Sequence, residues 1–174
     1  MSNFQAIADT GKIIVKLLRE NLTPEPIPKP EMIGLCAPYE ESDLRLTVYL
    51  YSIMENGLSR DINSAELCLN LYYLITAFSK SELKSKAYDE SFVIGKVMET
   101  MSLNSILKGS SLEGTLAENS EELKIILQPV STDEMSKIWT FPNIPYKLSI
   151  AYMAGPVYIS SDLSNTIVSK RVIR

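Results

Sequence analysis

The residues that could do chemistry are few and poorly partnered. Ser160-Ser161-Asp162 sets hydroxyls beside a carboxylate, but the 174-residue chain contains no histidine to take a proton. Histidine is the usual general base near neutral pH and the commonest transition-metal ligand. Its absence removes His-dependent triads and histidine-ligated zinc together. Gly109-Ser-Ser-Leu-Glu-Gly114 places two glycines in one loop, without the lysine or preceding strand that a phosphate cradle needs. Glu118, Glu121 and Glu122 mimic a carboxylate pair, yet a solvated loop and helix start explains them better. Glu40-Glu41-Ser42-Asp43 fits no calcium or magnesium loop spacing. Cys36 and Cys68, 32 positions apart with no C-x-x-C, read as small buried hydrophobes in apolar runs. No nucleotide-binding, zinc-protease or nucleophile-elbow motif occurs. The residues therefore point to a non-enzymatic chain with no cofactor and no metal.

What remains is surface. Nine tyrosines against four phenylalanines and one tryptophan is a signal, because tyrosine buries area while keeping a polar tip. Tyr49, Tyr51 and Tyr72 fall on the less obvious faces of two long strands. Packing under helices is the simpler reading of them, and a subunit interface the sharper one. A net charge of −4 and a pI near 5.0 argue against nucleic acid. No 18-residue apolar run exists to cross a membrane, and no basic-then-apolar leader suggests secretion. The expectation is cytosolic synthesis and binding to other protein subunits. The last residues, with Lys170, Arg171 and Arg174, form a basic tail on an acidic protein and are further interface candidates.

The elements that would position these residues are legible from periodicity. Phe4, Ile7, Ala8, Gly11, Ile14, Val15 and Leu18 recur at helical spacing. Four alternating prolines from Pro24 to Pro30 predict a stiff, polyproline-like spacer. Met32–Cys36 suits a short strand. Leu44–Met54 alternates, with Leu44, Leu46, Val48, Leu50 and Met54 on one face and Arg45, Thr47, Tyr49, Tyr51 and Ile53 on the other. Asn56-Gly57 opens a polar loop to about Ser64, and Glu66–Phe78 alternates in turn, so the two strands should be antiparallel neighbours. Neither strand has a plainly polar face, so something must cover the second one. Ser85–Leu107 predicts a long helix burying Ile94, Val97, Met98 and Met101; residues 109–120 predict a polar loop; Leu123–Leu127 predicts a strand. Ser131-Thr-Asp-Glu134 reads as a capping box opening a short helix whose buried side is Met135, Ile138 and Trp139. Tyr146–Tyr152 alternates as a last strand, broken at Gly155-Pro156 before Val157–Ile159. The fold class that results is α+β: a mainly antiparallel sheet, two long helices packed on one face, and a short third helix. Residues 1–160 make one domain and 161–174 a polar basic tail.

Several separated segments, in order, carry a family resemblance: Leu18-Arg-Glu-Asn-Leu22, Leu46-Thr-Val-Tyr-Leu-Tyr51, Leu69-Asn-Leu-Tyr-Tyr-Leu-Ile-Thr-Ala77, Leu123-Lys-Ile-Ile-Leu-Gln-Pro129, Ser136-Lys-Ile-Trp139 and Pro145-Tyr-Lys-Leu-Ser-Ile-Ala-Tyr152. Together they resemble the N-terminal domain of the cap, or tail-terminator, protein of extracellular contractile injection systems of the anti-feeding-prophage and virulence-cassette type. The resemblance implies a homo-hexameric ring that closes sheath and inner tube distal to the baseplate. It also implies sheath and tube subunits as partners, and assembly in a bacterial cytoplasm into a particle that can be released. It carries no catalytic residue. An assembly chaperone or adaptor of the same kind of particle would use the same surfaces transiently.

Overall fold

Six strands, β1 (Ile33–Leu35), β2 (Leu46–Glu55), β3 (Glu66–Ala77), β4 (Ile106–Leu107), β5 (Leu123–Gln128) and β6 (Ser149–Ser160), form one sheet in the order β1-β2-β3-β6-β5-β4. The computed structural model describes residues 4–38, 43–57, 66–118 and 122–160. Only β1 and β2 run parallel. The remaining pairs are antiparallel, as the alternating runs predict. Helices α1 (Ala6–Leu22) and α2 (Leu83–Leu103) pack together on one face of this sheet. Their shared core joins Ile14, Leu18, Val97 and Met101 to Leu46, Val48, Tyr73 and Ile75. The α+β class and the placing of both long helices on one face hold.

Local packing moves several elements from their expected places. The buried side of α1 is Ala6, Thr10, Ile13, Ile14, Leu18 and Leu22, while Phe4 is exposed ahead of the helix and Ala8 faces out. The proline segment is a series of turns instead of an extended spacer. Burial redirects it: Ile27 is fully buried, and its amide donates to the Leu22 carbonyl at 2.9 Å. On α2, Val93 takes the core place expected of Met98, which stands at the surface.

Residues 109–118 are structured as well. A single 3-10 turn at Gly109–Ser111 leads to a one-turn helix, α3 (Gly114–Glu118), which buries Leu112 and Leu116. Asp9 of α1 anchors that helix, accepting from the Thr115 amide at 3.2 Å and its hydroxyl at 3.1 Å. The polar residues hid these two leucines four positions apart.

The sheet contains two irregularities. A bulge between Leu50 and Ser52 shifts the register of β2 against β3. One extra residue reverses the alternation beyond it. Ile53 therefore pairs with the core-facing Leu71, and Met54 with Asn70 on the opposite face, the reverse of the expected assignment. A second bulge, at Gly155-Pro156, lets β6 continue as one strand from Ser149 to Ser160 where a break is expected. A Cβ on Gly155 would stand 3.1 Å from the Leu69 carbonyl and 2.6 Å from Asn70 Oδ1, so the close approach requires glycine.

Candidate assembly interface

The face of the sheet turned away from α1 and α2 carries the tyrosines. Register places Thr47 opposite Thr76 and Tyr49 opposite Leu74 on β2–β3, then Leu74 opposite Ala151 and Thr76 opposite Ser149 on β3–β6. Thr76 and Ser149 share a buried hydroxyl hydrogen bond of 2.9 Å. Helix α4 (Thr132–Ile138) faces this end across a cleft that Thr132, Met135 and Ser136 line together with Ser149. Its capping box is complete: the Glu134 amide donates to Ser131 Oγ at 3.3 Å, and the Ser131 amide donates to the Glu134 carboxylate at 2.9 Å. Hydrogen bonds from the Ser131 side chain and backbone hold the Glu134 carboxyl below the usual range.

After α4 the chain forms an aromatic arm. Trp139 donates its indole N–H to the Ile144 carbonyl at 3.1 Å, closing a turn that contains Asn143 at φ 61°. Asparagine tolerates that left-handed conformation. The Trp139 ring meets Phe141 edge-on at 5.2 Å and Tyr146 at 5.4 Å, and Phe141 meets Tyr49 at 5.5 Å. Tyr146 thus belongs to this arm and not to the last strand, which begins at Ser149. Met135, Trp139 and Tyr146 line a cleft of about 480 Å³ that reaches Ser149.

Beyond the arm the sheet face is half-exposed among the described residues, with Tyr51, Tyr72 and Met153 partly buried. One row crosses it, with Ser52 opposite Tyr72, Tyr72 opposite Met153 and Met153 opposite Ile126. The Tyr51 ring lies 6.3 Å from that of Tyr72. Burial, then Tyr72 and then Glu134 push the Tyr51 phenol upward. Ile126 is 45% exposed and Met54, on the same face, 53%.

The three sequence-predicted tyrosines therefore share a face but stand in two different surroundings, and none lies under the long helices. Tyr49 is held by Phe141 inside the chain; Tyr51 and Tyr72 border the half-exposed row. Alternation alone could not add Met153 and Ile126 to that row, because the partners of β3 and β5 are set by tertiary pairing. Lys170, Arg171 and Arg174 lie outside the described residues, as do Glu40–Ser42, Glu121, Ser161 and Asp162. Among the described residues, no cluster of three His, Cys, Asp or Glu could hold a metal. Cys68 is buried and Cys36 half-buried, and no disulfide joins them. No described helix is long and apolar enough to cross a membrane. The arrangement is one of surface apolar side chains, suited to binding protein.

Two solved structures share the fold. One is described as an extracellular contractile injection system, the PVC sheath/tube terminator in the extended state; it aligns at TM-score 0.61 and 21% identity, over 96% of this chain and 63% of that one. The other is described as the anti-feeding prophage cap (AFP tube terminating cap), at TM-score 0.59 and 16% identity, over 96% of this chain and 60% of that one. This chain thus spans less than two thirds of either. No curated protein matches it. The family model described as the Pvc16 N-terminal domain matches residues 9–169, and the chain belongs to that family.

Proposed function

We propose that this chain is a structural cap, or tail terminator, of a phage-tail-like contractile injection system. In this reading it forms a homo-hexameric ring, ends sheath and tube polymerisation distal to the baseplate, and acts by subunit contact without catalysis. Its partners are further copies of itself and the sheath and inner-tube subunits, and assembly takes place in the bacterial cytoplasm. The observation that carries the reading is family membership across residues 9–169, together with a fold shared over 96% of the chain with two terminator caps. Neither similar structure favours the alternative of a transient chaperone or adaptor.

A closed head-to-tail ring needs two different, complementary patches on each subunit. The Tyr51–Tyr72–Met153–Ile126 row offers one, and the tail residues Lys170, Arg171 and Arg174 offer charge for a second. Rim ion pairs are worth only about 0–1 kcal/mol each, whereas truncating a buried interface tyrosine costs about 2 kcal/mol. Removing Ser169–Arg174 should therefore weaken docking in a salt-dependent way without unfolding the domain. The decisive experiment is a deletion strain viewed by electron microscopy. Particles of uncontrolled length, or with prematurely contracted sheaths, are expected; particles of normal length and firing would end the terminator assignment.

A further inference from the structure

Helix α2 turns a stripe of exposed side chains away from the core. Val93, Ile94, Val97 and Met101 are buried on the side toward α1 and the sheet. On the opposite side Lys84, Tyr88, Phe92, Gly95 and Glu99 follow at spacings of three and four, which is one line along a helix. Tyr88 is 74% exposed and Phe92 54%, and their rings stack at 6.4 Å. A Cβ on Gly95 would meet nothing within 4 Å. Glycine inside a helix is less favourable than alanine, so α2 gains nothing from it alone. What it offers is close approach to the helix backbone from outside.

The half-exposed row of Tyr51, Tyr72, Met153 and Ile126 lies on the other face of the sheet from α2, so a chain cannot lay its own helix on its own row. Between copies the two match in length and in charge. The row crosses from β2 to β5, three strand spacings or roughly 14 Å, and Tyr88 to Glu99 covers roughly 16 Å of helix. Glu134 stands at the Tyr51 end, near enough for its charge to raise that phenol. Lys124 is exposed at the other end, two residues from Ile126 on β5 and therefore on the same face. With Tyr88 over β2 and Glu99 over β5, Lys84 comes to Glu134 and Glu99 to Lys124. Glu99 also pairs with Lys96 in its own helix at 2.5 Å, an exposed contact that can be shared. The reverse direction would set like charges together at both ends. In the favoured direction Phe92 lies between Tyr72 and Met153, an aromatic–thioether contact, and Gly95 lets the helix settle toward Ile126.

We infer that the outward stripe of α2 docks across this row of a second copy of the chain. The inference rests on the ring reading above and gives each subunit two different patches on opposite faces, the arrangement that a head-to-tail ring requires. The Tyr88 and Phe92 rings supply the aromatic area expected at the centre of such a contact, and the two charge pairs its rim. One contact, repeated round the ring, covers both exposed apolar surfaces.

Gly95→Leu separates this contact from stability in the full chain. The new side chain enters open space and replaces a poor helix former, so the melting temperature of the dilute monomer should rise by about 2 °C. The same side chain holds the helix off the row, so rings counted by native mass spectrometry should fall at least tenfold. Cross-linking identifies the partner face. Variants Glu99→Cys and Lys124→Cys, each also carrying Cys36→Ser, should give a covalent dimer with a short bis-maleimide only when mixed. Normal rings from Gly95→Leu, or rings of the mixed cysteine variants without that dimer, would overturn the docking and leave the ring reading standing. Normal rings from Gly95→Leu with defective particles would assign the stripe to a sheath or tube subunit, and so overturn the second copy as its occupant. A wild-type chain that forms no ring, alone or in particles, would overturn both readings.

Discussion

Arg45 Nη2 stands 2.7 Å from Asp89 Oδ2, an ion pair that joins the approach to β2 with helix α2 across 44 positions of sequence. Both side chains are mostly shielded from water. Arg45 Nε also donates to the Phe78 carbonyl at 2.7 Å, and the Ser79 hydroxyl donates to the same Asp89 oxygen at 2.5 Å. The pair therefore anchors the start of β2, the end of β3 and α2 at one point. Asp89→Asn leaves Arg45 without its charge partner and should destabilise the chain by about 1–3 kcal/mol. The midpoint of urea unfolding reads this, and an unchanged midpoint would show that water replaces the pair.

The capping box makes α4 a sensor of acid. Ser131→Ala removes the cap, at a cost of about 1 kcal/mol to the helix. Because Trp139 is the only tryptophan, its emission should shift to the red as the arm loosens. The folded Glu134 carboxyl titrates below its ordinary value. Its contribution is therefore present above that ordinary value and lost as pH falls through the folded one. The wild-type emission should shift in that acid range, whereas Glu134→Gln should show no such transition.

Tyr49 and Ile126 should separate folding from assembly. Tyr49→Ala removes the edge-on contact with Phe141 inside the chain and should lower the melting temperature of the isolated protein. Ile126→Asp places a charge on the half-exposed row and should leave that temperature nearly unchanged while abolishing assembly. Tyr51→Ala should fall between them, weakening assembly more than stability. A monomer greatly destabilised by Tyr51→Ala would make that residue core.

Gly155→Ala puts a methyl 2.6 Å from Asn70 Oδ1, which must swing away, and 3.1 Å from the Leu69 carbonyl, which must give by a few tenths of an ångström. Overpacking of this kind costs about 1–3 kcal/mol. Thermal unfolding should register it, and hydrogen exchange should show the loss concentrated where β3 meets β6.

Sequence by itself determined which segments become strands and helices wherever one rule was uninterrupted. The alternation of Glu66–Phe78, the capping box at Ser131 and the lack of histidine are all local facts, and the ordered segments sufficed for the family. Tertiary structure decided the rest. The bulge at Tyr51 reverses the later half of β2, because one extra residue in a period-two pattern exchanges faces, and nothing local announces it. The prolines from Pro24 to Pro30 permit an extended spacer, but burial of Ile27 bends them into turns. The row of Tyr72, Met153 and Ile126 exists only because β6 lies between β3 and β5, an order set by a common core. Where β1 stops beside β2, with Leu35 opposite Val48, is likewise set by pairing between strands and not by either strand alone.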